Sequence, residues 1–330
     1  MQQRSRRPAP AASFSGSAAL DHALSGVGGA VVSTMVFHPL DLVKIRLQVD
    51  TASHKEAVLG RAMRAARHVV QTDGLAGMYR GLGANLAGNC ASWGLYFAWY
   101  TWIKGWMAGE GAAAVTATGV STLSPVQHLA AGAAAGALTQ CMANPLWVVK
   151  TRVCTTSRSD AGAYRGLVDG LGRIAATEGL RGLYKGLAPG LLGVAHGGLQ
   201  FMAYEEMKKR RARSAGGRAA DSFSSVEYAY MSSSSKVFAL AITYPSQVLR
   251  SRLQQAPGAS CTRAAGAPRM ASYSGLGDAI AKTMRAEGPT GFYKGFGPAL
   301  LRVLPGNIMT FIVYEKIAAS LRGLAARRDG

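Results

Sequence analysis

Three short stretches of this 330-residue chain repeat one charged pattern. HPLDLVKIRLQ begins at His38, NPLWVVKTRVC at Asn144 and YPSQVLRSRLQ at Tyr244, each a proline followed by a basic residue at +5 and another at +7. Two positions after the proline stand Asp41, Trp147 and Gln247, and the bases at +5 are Lys44, Lys150 and Arg250. Residues three apart share a helix face, so an acid at the first position and a base at the second would lie together. The chemistry on offer is ion pairing and anion binding. With Arg46, Arg152 and Arg252 at +7, the motifs hold six bases against one acid, and a low-dielectric wall focuses such a field on anions. The +7 bases have a second reading, in which they face phospholipid headgroups.

Nothing comparable supports bond-making chemistry. No repeated acid/base dyad, Ser/His/Asp set or metal-ligand spacing stands out, and the six histidines are scattered. An enzyme is not expected, and neither catalytic residues, a metal nor a bound cofactor is implied. Cys90, Cys141, Cys154 and Cys261 form no CxxC; three lie within or beside apolar stretches and read as packed free thiols.

The elements that must position the motifs are long and uncharged. Residues 81–103 and 186–204 hold no Asp, Glu, Lys or Arg, each about the length that crosses a hydrocarbon layer of roughly 30 Å, and 111–149 holds a loop and a span together. They are rich in Gly, Ala, Ser and Thr, which keeps the mean hydropathy at +0.09 and suits close-packed helices, as in GAAAG from Gly132. Downstream of each motif comes a second shared element: DGLAGMYRG from Asp73, EGLRGLYKG from Glu178 and EGPTGFYKG from Glu287. The motif prolines lie 106 and 100 residues apart, so the chain is three copies of one unit. Each unit reads as a span, a short amphipathic helix stopped by the glycine after the acid, and a second span.

The net charge of +20 with 48% hydrophobic residues fits a membrane protein. A nucleic-acid binder is excluded by distribution, because the bases recur in motif pairs between uncharged spans. The first residues, MQQRSRRPAPAASFSGSAAL, are basic and acid-free but lack the apolar core of a secretory signal, so they are either a short targeting segment or a plain basic terminus.

The triplicate pattern resembles the mitochondrial carrier family over about residues 18–322. That resemblance implies an all-α membrane protein: six transmembrane helices in three tandem repeats with pseudo-threefold symmetry, plus three short matrix-side amphipathic helices. The expected organisation is a basic segment 1–17 and repeats 18–113, 123–217 and 222–325. Such proteins move solutes across the mitochondrial inner membrane by alternating access, as monomers in contact with lipid, cardiolipin included. SWGLYFAWY, HGGLQFMAYE, SSKVFALAITYP and RVLPGNIMTFIVYE are most similar to the folate and FAD carrier branch. A reduced folate or FAD, exchanged as an anion, is the cargo implied; the alternative is NAD or a pyrimidine nucleotide, in mitochondria or peroxisomes, with plastids a further location.

The same resemblance assigns residue roles. A matrix gate joins the acid position of one repeat to the +5 base of the next: Asp41 with Lys150, Trp147 with Arg250, Gln247 with Lys44. Only the first would be an ion pair, while the indole could offer Arg250 a ring face worth roughly 0.5–2 kcal/mol. Gln48 and Gln254 are implied braces, absent from repeat two, where Cys154 stands. A cytoplasmic gate of Lys104 with Glu205 and Lys208 with Glu315 closes the other end. Substrate would touch Gly88, Asn89 and Ser92 on the second span, Gly193 and Val194 on the fourth, and two bases inside apolar spans, Lys236 and Arg302, where an ionisable group is a functional hypothesis by default. Lys236 has a structural alternative, His196 reads as a hydrogen-bonded packing residue, and Trp93, Tyr96 and Trp99 read as packing or interfacial aromatics.

Overall fold

The computed structural model describes residues 18–51, 58–108, 124–158, 160, 162–214, 223–255 and 271–328. The N-terminal segment, Cys261 and the repeat boundaries near 113–123 and 217–222 lie outside them. No β-strand occurs among the described residues. Repeat one supplies α1 (Ala18–Val49), α2 (Val58–Asp73), a 3-10 turn (Leu75–Tyr79) and α3 (Leu82–Ala108). Repeat two supplies α4 (Pro125–Thr155), α5 (Leu167–Leu183), α6 (Leu187–Leu192) and α7 (Ala195–Ser214). Repeat three supplies α8 (Ser225–Gln254), α9 (Leu276–Glu287), a 3-10 turn (Pro289–Tyr293) and α10 (Phe296–Arg328).

Local chemistry explains several of these bounds. Ser124 and Ser224 start α4 and α8 with reciprocal capping boxes to Gln127 and Glu227. The glycines after the three acids, Gly74, Gly179 and Gly288, take φ of 71°, 65° and 67° with ψ near 180°, an extended positive-φ conformation that breaks the helical path and that glycine adopts most readily. The motif prolines do not end their helices: Pro39, Pro145 and Pro245 lie inside α1, α4 and α8, which continue to Val49, Thr155 and Gln254. That continuation carries both motif bases on rigid helix.

The fourth span is in two pieces, α6 and α7, separated at Gly193 and Val194. Val194 N–H donates to Leu191 O and His196 N–H to Gly193 O, so the helix tightens locally to 3-10 geometry there.

Two compact units emerge. One comprises 18–38 with 301–328, where small residues let two helices touch: a Cβ on Gly29 would lie 2.7 Å from Thr310 O, and Ser33 Oγ donates to Gly306 O at 3.0 Å. The other is 39–300, where α3 packs along α4 and α7 along α8. Its clusters are Val148, Val149, Val153, Ile174 and Leu183 between α4 and α5, and Ile103, Ala131 and Ala135 between α3 and α4. By length and composition, Leu24–Val49 and Pro289–Leu321 suffice to cross a membrane.

Candidate functional site

The C-terminal ends of α1, α4 and α8 carry two layers of polar contacts. The first contains the positions read as a matrix gate. Lys44 Nζ donates to Gln247 Oε1 at 3.0 Å and lies 5.7 Å from the Tyr244 ring centroid. The Trp147 indole lies 5.7 Å from the Arg250 guanidinium carbon and 5.0 Å from Lys150 Nζ, so it serves a base of its own repeat as well as its neighbour's. Arg250 Nη2 is buried with no hydrogen-bond acceptor among the described residues, which leaves the ring face as its compensation. The indole also covers Gly88: a Cβ there would meet three ring carbons at 3.5–3.6 Å. Asp41 is buried.

The second layer corrects the reading of the +7 bases. Arg46, Arg152 and Arg252 are 3%, 0% and 0% exposed; they face neither headgroups nor an open cavity floor. Each guanidinium meets the acid of its own repeat's second element. Arg46 lies 3.8 Å from Asp73, Arg152 holds both carboxylate oxygens of Glu178 with one bond at 2.9 Å, and Arg252 holds Glu287 at 2.7 Å. Each Nε then donates to a helix-end carbonyl of another repeat: Arg46 to Cys154 O (3.0 Å), Arg152 to Gln254 O (3.1 Å), Arg252 to Gln48 O (2.9 Å). The three bonds run one to two, two to three and three to one. These arginines close the repeats into a cycle and satisfy carbonyls that helix ends leave orphaned.

Burial pushes the Glu178 carboxyl up, but hydrogen bonds from Arg152 and Lys185 outweigh it and hold the group below the usual carboxylate range. Lys185 and Lys294, bases of the second element, add to Glu178 and Glu287 at 2.7 and 2.8 Å. Their counterpart Arg80 reaches across to repeat two, donating to Val153 O and Tyr164 O.

Gln48 and Gln254 lie two residues beyond the clamp arginines, and their bonds go to neighbouring helices instead of the gate pairs. Gln48 donates to Tyr244 Oη at 3.1 Å and accepts from Ser251 at 2.7 Å; Gln254 accepts from Thr151 at 3.0 Å and donates to Asn144 at 3.5 Å. Cys154 donates weakly to Arg80 O. Gly81, Gly186 and Gly295, at φ 82°, 73° and 83°, lie under these three side chains; an added Cβ would come 2.7 Å from Cys154 Sγ, 2.9 Å from Gln254 Cγ and 3.3 Å from Gln48 Cγ. Glycine is required there by both conformation and space.

A cyclic, three-membered contact set of this kind agrees with the sequence comparisons. Residues 15–111, 121–214 and 221–324 each match the sequence model of the family described as mitochondrial carrier protein. The chain belongs to the mitochondrial carrier family. It is 37% identical over 319 residues to "Folate transporter 1, chloroplastic" of Arabidopsis thaliana, covering 94% of this chain and 98% of the relative. It is 33% identical over 306 residues to "Mitochondrial FAD carrier protein FLX1" of Saccharomyces cerevisiae, covering 89% and 94%. It is 34% identical over 306 residues to "Nicotinamide adenine dinucleotide transporter 1, chloroplastic" of Arabidopsis thaliana, covering 90% and 91%. These relatives are transporters, not enzymes.

The carrier's remaining candidate residues fall along its spans. Asn89 Nδ2 donates to Asn85 Oδ1 at 3.3 Å, and Ser92 Oγ is buried without a partner among the described residues. Val194 packs against Gly136 of α4, where a Cβ would meet its methyl at 2.8 Å. His196 Nδ1 lies 3.0 Å from Thr243 Oγ1, a packing hydrogen bond. Lys236 and Arg302 are half-buried. Lys104 and Glu205 are half-buried and form no ion pair with each other. Tyr96 and Trp99 pack on the Ile103 cluster, whereas Trp93 is 60% exposed. Cys154 is buried, but Cys90 is exposed, unlike a packed thiol. Sequence reasoning missed the Arg–acid clamps; the signal was the recurrence of both the +7 base and the acid in every repeat.

Proposed function

We propose that this carrier moves an anionic heterocyclic cofactor, a reduced folate or FAD, across the mitochondrial inner membrane by alternating access. The observation that carries the reading is near-full-length similarity to a folate transporter and to an FAD carrier. NAD is the second reading, favoured by the similarity to nicotinamide adenine dinucleotide transporters. The protein works as a monomer in contact with lipid, its repeats bounded near 18–113, 123–217 and 222–325.

Asp41, Lys44, Trp147, Lys150, Gln247 and Arg250 form the matrix gate, and Lys104, Glu205, Lys208 and Glu315 the cytoplasmic one. Gln48 and Gln254 support the matrix gate through the helices that carry it. The Lys44–Gln247 bond and the Trp147 contacts support a matrix gate that is closed in this conformation. Lys236 and Arg302 hold the anionic part of the cargo, and Gly88, Asn89, Ser92, Gly193 and Val194 line its uncharged part. Trp147 replaces an ion pair by a ring contact, so the gate opens at lower cost than one built from full pairs.

Purified carrier in liposomes, offered labelled FAD, a reduced folate, NAD and pyrimidine nucleotides in parallel, tests this. Uptake of FAD or folate, abolished by Arg302→Ala, is expected. Uptake confined to NAD or a pyrimidine nucleotide overturns the substrate ranking, and unchanged flux in the variant removes Arg302 from the site.

A further inference from the structure

The seam between α3 and α4 carries a set of rings, the last of which on α3, Tyr100, opens the YTWIK stretch that ends in Lys104. Tyr96 and Tyr100 are nearly parallel, 6.0 Å between centroids and 9° between planes. Tyr100 in turn faces His128 of α4 at 6.5 Å and 30°, with its hydroxyl 2.9 Å from Nδ1. All three rings are half-buried, so part of each remains accessible. Opposite Tyr96 stands Gly132, where even a Cβ would lie 3.4 Å from the phenol oxygen; α4 leaves room for the ring.

Three contacts set the antiparallel register of the two helices: Gly88 under Trp147, Tyr96 against Gly132, Tyr100 against His128. Between the first two, that register puts Ser92 level with Thr139. Ser92 Oγ and Thr139 Oγ1 are both buried and have no hydrogen-bond partner among the described residues. Buried hydroxyls are ordinarily satisfied, so two unanswered ones at one level call for a group that answers them. Asn85, Asn89, Ser92, Tyr96 and Tyr100 recur at intervals of four, three, four and four, one polar stripe along a span whose sole charge is Lys104. On a spanning helix such a stripe faces protein or water, not lipid.

We propose that Tyr96 and Tyr100 form a stacking surface for the flat heterocycle of the cargo, with the Ser92 and Thr139 hydroxyls meeting the edge of the ring. The inference rests on the substrate class proposed above and deepens it. Basic side chains recognise only the anionic part of such a molecule, and a tail alone would satisfy them. Aromatic faces supply the missing discrimination, because stacking rewards a planar π-system and gives nothing to a chain without one.

The test uses full-length carrier in liposomes with FAD as the ring-bearing probe and inorganic pyrophosphate as a ringless competitor. Tyr96→Leu is expected to raise the KM for FAD about tenfold, the scale of one lost ring stack, while pyrophosphate inhibits it and the parent alike. Tyr96→Phe keeps the ring and is expected to recover most of the affinity. Ser92→Ala should weaken FAD by a smaller factor. An unchanged KM in Tyr96→Leu overturns the proposal, as does an equal loss of FAD affinity and pyrophosphate inhibition, which would mark general damage to packing. A parent protein that moves neither FAD nor a folate would instead strike down the substrate reading, and the stacking surface with it.

Discussion

Two layers of contacts lie only two residues apart on the same three helices, and they are built on different principles. In the gate layer each repeat is different: a lysine bonded to a glutamine, an indole between two cations, a buried aspartate. In the clamp layer each repeat has the same parts, a buried arginine, the acid of its own second element and a carbonyl of another repeat, although the Arg46–Asp73 pair is looser, at 3.8 Å, than the hydrogen-bonded pairs of the other two. If the first layer is the matrix gate proposed above, its contacts must break in every transport cycle and have to be weak enough to open. Contacts that hold the repeats together have no such limit. The charged residues of one motif thus divide between motion and cohesion.

The largest effect expected from breaking this contrast is at the clamp. Arg252→Ala would leave the Glu287 carboxylate, 4% exposed, to Lys294 alone and would strand the Gln48 carbonyl. Removing one partner of a buried ion pair costs up to about 3–5 kcal/mol, so thermal unfolding of the purified variant should show a melting temperature below the parent's. An unmoved melting temperature would show the clamp to be dispensable.

Next comes the gate. Trp147→Glu places an acid between Lys150 and Arg250, and is expected to stiffen the matrix end and slow exchange, about tenfold for each 1.4 kcal/mol added to the barrier. The rate of labelled-substrate exchange in liposomes decides it; transport at or above the parent rate contradicts the account. The same substitution should leave the melting temperature level or higher, unlike any clamp variant.

A smaller loss is expected at the glutamines. Gln48→Ala removes a bond to Tyr244 and one from Ser251, and should lower stability by about 1–3 kcal/mol, read as a melting shift smaller than that of Arg252→Ala. A shift equal to the clamp variant's would erase the distinction between brace and clamp.

The mildest test is pH. The Glu178 carboxyl is held below its ordinary value, so its contribution is fully present above the ordinary carboxylate range, near pH 4.3, and fades as pH falls through the lower folded value. Glu178→Gln should melt below the parent at neutral pH, and the gap should narrow on acidification below about pH 4. A gap that stays constant across that range would mean the carboxylate charge contributes nothing.

How much of this was legible in the sequence differs between the layers. Trp147 could be placed opposite Asp41 and Gln247 by aligning three motifs of one chain, and its contact with Arg250 was implied by the family resemblance. The arginines were half legible. Bases at +5 and +7 are two residues apart, which on a helix is about 200°, so they cannot share one face. Grouping all six bases on a cavity floor overlooked that geometry. The partner of each arginine was out of reach for another reason: the acid lies 26 residues along the chain for Arg152 and 35 for Arg252, across a loop and an amphipathic helix. The braces followed the same course, with Gln48 and Gln254 recognisable by position but their bonds to Tyr244 and Asn144 set by helix packing.

The sequence by itself determined that one unit occurs three times, that its helices carry small residues and few charges, and that the motif position holding Asp41 and Gln247 in two repeats holds an indole in the other. Those properties are local, and helical periodicity converts them directly into faces. Only the tertiary structure decided which cation that indole meets besides its expected partner, that the +7 arginines join repeats instead of facing cargo or lipid, and that Tyr96, Tyr100 and His128 align across a helix seam. Each depends on the register between segments distant in the chain, which close packing sets and no local pattern encodes.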